Sequence, residues 1–212
     1  LKDKNKKIRI SGANLGKYLG KKKYTLDTIN EKDEVGIVRG LAWTSVGGDT
    51  LQIEVNKMPG KGDIELTGQL GDVMKESART AVSFVRSVSE EYKIPENAFK
   101  ENDFHIHIPE GAVPKDGPSA GITMATAILS AVTDRKVRAD IAMTGEVTLR
   151  GRVLPIGGLK EKILAAKTAG GKTVLGPKEN EKDVEEISKE IKSGVEIIFV
   201  ERMSEVIEQA FI

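Results

Sequence analysis

Apolar and polar side chains alternate with period two along residues 50–56, after an apolar-rich stretch at 35–43. VGIVRGLAW (35–43) and TLQIEVNK (50–57) therefore predict two strands around a Gly47-Gly48-Asp49 turn. A short strand is predicted at Ile64–Thr67. The period then changes. Val73, Met74, Ala78, Ala81, Val85, Val88 and Tyr92 recur at helical spacing, which predicts a helix over 73–93 with Asp72 as N-cap and Pro95 as its stop. FHIHI (104–108) alternates again, 109–118 reads as a loop, and 119–132 as a helix. Residues 137–150 predict a strand and a hairpin. A Pro155–Gly158 turn opens a helix over 159–169, closed by Gly170-Gly171. A short strand at Thr173–Leu175, a charged helix near 180–192, a strand at Val195–Val200 and a helix from Met203 follow.

Strands and helices that alternate in this loose way predict one α/β (α+β) domain, with mixed sheets and packed helices, over residues 34–212. Residues 1–33 read as a basic appendage. The first 24 residues carry a charge of +8 in a chain of net charge +1, so the remainder carries −7. A basic arm suits nucleic acid or an acidic partner, but the solvated end of a linker is the favoured reading. The first residue is Leu1, not Met, which reads as a fragment or a processed product. No apolar run reaches the roughly 18 residues that cross a bilayer, and no signal peptide is legible.

The chemical inventory is short. There is no cysteine, which removes thiol proteases, disulfide frameworks and thiolate metal sites. Two histidines leave little for a histidine-rich metal centre. His105 and His107 share one face of a strand, but spacing supplies no third ligand, so no metal is assigned. Gly171-Lys172-Thr173 imitates the end of a phosphate-binding loop. The position where that motif needs its first glycine is Ala166, and a strand, not a helix, follows Lys-Thr.

Gly117-Pro118-Ser119-Ala120-Gly121 matches G-x-S-x-G, the pattern of an exposed nucleophilic serine. No histidine follows Ser119, and Asp116 is too near it to serve an imidazole, so a Ser–His triad does not fit. A serine needs a base, and a neutral lysine amine is the next candidate. Lowering a lysine from about 10.4 by about three units costs roughly 4 kcal/mol, so such a lysine belongs on a buried face. Leu159, Ile163, Ala166 and Ala169 form the apolar face of the 159–169 helix, and Lys162 lies within it, whereas Lys160 and Lys167 lie elsewhere. A snorkelling lysine at the edge of that face is the alternative. Ser119 is expected at a helix N-terminus, where Asp116 would cap the free N–H groups and backbone donors would face an oxyanion.

HIHIPEGA, PKDGPSAG and ITMATAILSA (within 105–131) together resemble the nucleophile segment of the Lon protease family. MTGEVTLRGRVLPIGGLKEKILAAKTAG (143–170) resembles its lysine segment, and GLAWTSVGGDTLQIE (40–54), TGQLGDVMKESA (67–78) and GPKENEKD (176–183) resemble further segments. The resemblance covers 34–212 and implies the Lon proteolytic fold and an ATP-dependent serine endopeptidase that degrades unfolded, damaged or regulatory proteins. It implies Ser119 as nucleophile, Lys162 as general base and Thr144 as a partner orienting the lysine. Asp116 and Glu76 fall in matching motifs as supporting residues. It implies a cytoplasmic hexameric ring whose AAA+ module, with ATP and Mg, precedes the protease domain. This stretch holds no such module and no cofactor, and 1–33 resembles its helical tail and linker. DNA contact is expected only through other regions, and membrane contact not at all. A non-proteolytic Lon-like scaffold and a Ser–Lys amidase of restricted target are the alternatives.

Overall fold

The computed structural model describes residues 7–20, 30–45, 47–109, 113–185, 187 and 192–212. Helix α1 (Leu15–Leu19) buries none of its residues. The chain joins the domain at β1 (Glu34–Val35), which pairs antiparallel with β6 (Lys136–Val137). Of the predicted appendage, residues 1–6 and 21–29 lie outside the described residues.

The first two predicted strands form a hairpin of β2 (Ile37–Thr44) and β3 (Gly47–Pro59), in register from Ile37↔Glu54 to Thr44↔Gly47. β3 extends well past its partner. Its second half pairs antiparallel with β5 (Asn102–His107), and β4 (Ile64–Thr67) lies parallel to β5 at the sheet edge. On the other side of β2 run β7 (Ile141–Met143), β10 (Thr173–Pro177) and β11 (Glu196–Val200), all parallel. The seven strands are ordered β11-β10-β7-β2-β3-β5-β4, a mixed sheet as expected.

Because side chains alternate across a strand, Val38 and Leu41 of β2 face opposite ways, and each anchors a core. Val38, Ile53 and Val55 pack with α2 (Asp72–Ser87), α3 (Gly121–Thr133) and α6 (Met203–Ala210). Leu41 and Ala142 pack with Leu159, Ile163 and Ala166 of α4 (Leu159–Thr168) on the other face. The result is a helix–sheet–helix sandwich. α3 is buried from Gly121 to Val132, which its all-round apolar sequence requires. Its hydroxyls are satisfied locally: Thr126 donates to the Ile122 carbonyl at 2.8 Å, and Ser130 accepts the Gly36 N–H at 2.8 Å.

Several predicted boundaries move for identifiable reasons. α2 stops at Ser87, because the Ser87 and Ser89 hydroxyls bond back to the Phe84 and Arg86 carbonyls and Lys93 adopts φ +56°. Val88 and Tyr92 still pack on the core, so the apolar period outruns the helix. Asp72 is the first helical residue and the N-cap position is Gly71. Residues 138–154, after β6, give three short strands, β7, β8 (Glu146–Val147) and β9 (Val153–Leu154), the last two forming the hairpin. The charged helix begins as a 3-10 turn, Lys178–Asn180, then α5 (Glu181–Glu185); most of 186–191 lies outside the described residues. α4 ends as expected. Gly170 takes φ +91° and the Gly171 N–H reaches back to the Ala166 carbonyl at 2.9 Å, a Schellman end that accounts for the glycines of the false phosphate loop.

The β2–β3 hairpin lies directly against α4. A Cβ on Gly48 would stand 2.0 Å from the Glu161 carbonyl oxygen, and one on Gly158 2.6 Å from the Trp43 ring. Gly48→Ala therefore pushes the hairpin off α4. The expected loss is about 1–3 kcal/mol in urea unfolding, the range for overpacking.

Candidate active site

The segment before α3 is held from two sides. Lys115 forms a strand-like bridge to the 68–71 turn: its N–H donates to the Gln69 carbonyl at 3.0 Å and its carbonyl accepts the Gly71 N–H at 2.8 Å. Its buried ammonium donates to the Val113 carbonyl at 3.1 Å and the Gly68 carbonyl at 3.3 Å. Asp116 Oδ1 accepts the N–H groups of Met74 and Gly117, both at 2.9 Å. Asp116 thus caps α2, not α3 as its place in the sequence suggested. Gly71 makes this possible, since a Cβ there would lie 2.3 Å from the Asp116 carboxyl carbon.

Ser119 precedes α3 by two residues and is half-buried. Its carbonyl accepts the Gly145 N–H at 2.8 Å and the Thr144 hydroxyl at 3.2 Å. The Pro118 carbonyl accepts the Gly121 N–H at 3.1 Å and the Ser77 hydroxyl at 3.4 Å. Both glycines of the pentapeptide have geometric work. Gly117 takes φ +122°, and a Cβ on Gly121 would stand 2.7 Å from the Val147 nitrogen.

Lys162 is 2 % exposed, on the buried face of α4 that its spacing predicted, while Lys160 is exposed. Its Nζ donates to Thr144 Oγ1 at 3.1 Å. Among the described residues no carboxylate pairs with it. Burial alone therefore acts on the amine and lowers its pKa from 10.5 to about 8. Thr144, itself fully buried, follows β7 and links the two segments. Its single proton goes to the Ser119 carbonyl, and an oxygen lone pair receives the lysine.

Ser119 and Lys162 line one cleft of about 670 Å3, with Leu41, Trp43, Met74 and Ile156 among its walls and Asp116 and Lys115 at its loop side. Glu76 stands on the exposed face of α2, outside this lining. His105 and His107 lie on β5, also outside it.

The profile of the family described as Lon protease (S16) C-terminal proteolytic domain matches residues 9–212. This chain belongs to that family. It is 63% identical over 209 residues to the Lon protease of Lachnoclostridium phytofermentans, covering 99% of this chain and 26% of that protein. It is 56% identical over 205 residues to the Lon protease of Clostridioides difficile, covering 97% and 26%. Against Lon protease 1 of Bacillus subtilis the identity is 53% over 210 residues, covering 99% and 27%. The chain thus spans about a quarter of the length of the relatives it matches.

Within this Lon domain, several cleft-building residues have no sequence signal of their own. Lys115 reads as a solvated charge until its carbonyl partners come from the 68–71 turn. Ser77 is one small residue in a helix, and only the fold sets it under Pro118. Asn180 is buried and exchanges two hydrogen bonds of 2.9 Å with the Ile156 backbone, which fixes the Pro155–Gly157 wall of the cleft. Trp43 is the exception: a tryptophan at a hairpin end, 61% exposed, is a visible flag.

Two outcomes follow for this Lon domain. Asp116→Ala removes the α2 cap and is expected to cost about 1 kcal/mol, up to about 2, in chemical unfolding. Lys162 binds its proton less readily folded (about 8) than unfolded (10.5), so the unfolded chain holds the extra proton between those values and stability rises with pH across that window. Lys162→Met is therefore expected to raise stability at pH 7 by on the order of 3 kcal/mol, with the gain fading toward pH 10.5. Thermal unfolding of both forms across pH 7–10 measures it.

Proposed function

We propose that this chain is the peptide-bond hydrolysing domain of an ATP-dependent Lon-type serine protease, with Ser119 as nucleophile and Lys162 as general base. The observation that carries the reading is the buried Lys162. It has no counter-ion among the described residues, its pKa is brought down to about 8, and it shares a cleft with the serine of a G-x-S-x-G turn. A structural lysine gains nothing from that burial; a base gains a neutral amine near physiological pH.

In the proposed reaction the neutral Lys162 amine takes the Ser119 hydroxyl proton as Oγ attacks the scissile carbonyl carbon. The carbonyl π electrons move to oxygen, and the Ser119 and Ala120 N–H groups, for which no acceptor is found among the described residues, are the backbone donors available to that oxyanion. Collapse expels the amine product, which carries away the proton from Lys162. Water, deprotonated by the same lysine, then releases the acyl group and restores Ser119. Thr144 suits this role because it leaves the lysine free to accept: its own proton is committed to the Ser119 carbonyl, so it takes a hydrogen from Lys162 and leaves the amine lone pair unused.

The same reading extends to the longer protein. Its substrates are unfolded, damaged or regulatory proteins. Its subunits form a hexameric ring, driven by ATP and Mg bound in a preceding AAA+ module, in the cytoplasm. No helix among the described residues is long and apolar enough to cross a membrane.

The decisive experiment pairs chemical labelling with kinetics. A serine-directed phosphonate is expected to label Ser119, and Ser119→Ala to lose at least about 1,000-fold in cleavage of a fluorogenic peptide. Activity of the parent is expected to rise with pH through about 8, and Lys162→Gln to abolish that rise along with the activity. Parent-level cleavage by Ser119→Ala would overturn the reading.

A further inference from the structure

His105 and His107 are the only histidines of the chain, and neither serves the cleft. β5 sets both on the sheet face that also carries α4, where they remain partly exposed. Their rings stand 6.2 Å apart, edge to face at 78°. His105 Nε2 lies 2.8 Å and His107 Nδ1 2.7 Å from one atom, Thr67 Oγ1 on β4. The two nitrogens therefore aim at a single point. Beside them, Glu65 Oε2 stands 3.6 Å from the other nitrogen of His105, Nδ1. Glu65 is the register partner of His105 on β4, and Glu54 that of His107 on β3.

We propose that His105 and His107 form a chelating site for a late first-row divalent metal ion, with Glu65 as the orienting carboxylate. Imidazole nitrogen suits Ni2+, Cu2+ and Zn2+. At 3.6 Å the Glu65 carboxylate lies just beyond hydrogen-bond distance of Nδ1; its charge favours the proton on that side and leaves Nε2 with its lone pair, and a small side-chain rotation would complete the carboxylate–histidine arrangement of metal sites. The convergence point is held by a threonine hydroxyl at the sheet edge, whose side chain turns aside or stays as a weak oxygen donor. His107 releases the Nδ1 lone pair by moving its proton to Nε2, a tautomer change open to an imidazole in contact with water. Glu54 and Glu65 make the face attractive to a cation. Among the described residues no set of three His, Cys, Asp or Glu groups converges. Binding is therefore through two nitrogens, with water in the remaining positions, and is weaker than a closed structural zinc site.

Because the chain has no third histidine and no cysteine, the test is clean. Calorimetric titration of the whole chain with NiCl2 is expected to give one ion per chain. His105→Ala and His107→Ala should each weaken binding at least about tenfold, and Glu65→Gln by about tenfold. Ni2+ should raise the melting temperature of the parent and not that of the double histidine variant. Independent imidazoles would instead give two weak ions per chain, with each single variant keeping its remaining affinity; that result overturns the site. So does Ni2+ binding that survives removal of both histidines.

Discussion

An ammonium group taken out of water must find a counter-charge or give up its proton, and this fold supplies Lys162 with no carboxylate among the described residues. Most of what surrounds the cleft follows from enforcing that burial. α4 must lie flat on the sheet so that Leu159, Ile163 and Ala166 cover Leu41 and Ala142, because only then does the intervening lysine enter the interior. The β2–β3 hairpin closes the other side, and it comes near enough only because Gly48 and Gly158 have no side chain. The helix is cut short by the Schellman turn, so the chain re-enters the sheet at Thr173 and seals the end of the same core.

Ser119 is placed by a different kind of force. Its segment has little core of its own and hangs on directed hydrogen bonds. The Lys115 ammonium gathers carbonyls, Asp116 closes the open end of α2, and Ser77 and Gly145 take the carbonyls of Pro118 and Ser119. Such bonds are individually modest, about 1 kcal/mol net each, but they are directional. They fix where the serine stands more than they add stability. A hydrophobic clamp fixes the proposed base, and a polar one the proposed nucleophile.

The share of this that the sequence discloses follows the range of the interactions. Lys162 was legible because its burial is a property of one helix face, and helix periodicity is written locally. The strands of the hairpin, the glycine stop of α4 and the serine turn were legible for the same reason. Asp116 misled, because an acid just before a helix is the standard sign of a cap, and only the fold reveals that the capped helix is α2. α2 was overextended because Val88 and Tyr92 bury their side chains without helical backbone. The order of the strands, the carbonyl partners of Lys115 and the meeting of Thr67 with two histidines are long-range facts. Family resemblance, more than spacing, singled out Thr144.

Thr144 also has a consequence for tolerance to error. Proposed nucleophile and base come from segments far apart in the chain, on opposite faces of the sheet, and small displacements accumulated along such a path would exceed the fraction of an ångström that proton transfer permits. Here both are referred to one hydroxyl oxygen at the end of β7. A shift of that strand carries the two together and leaves their separation nearly unchanged. The threonine is a common datum, and it keeps the two segments in register with each other.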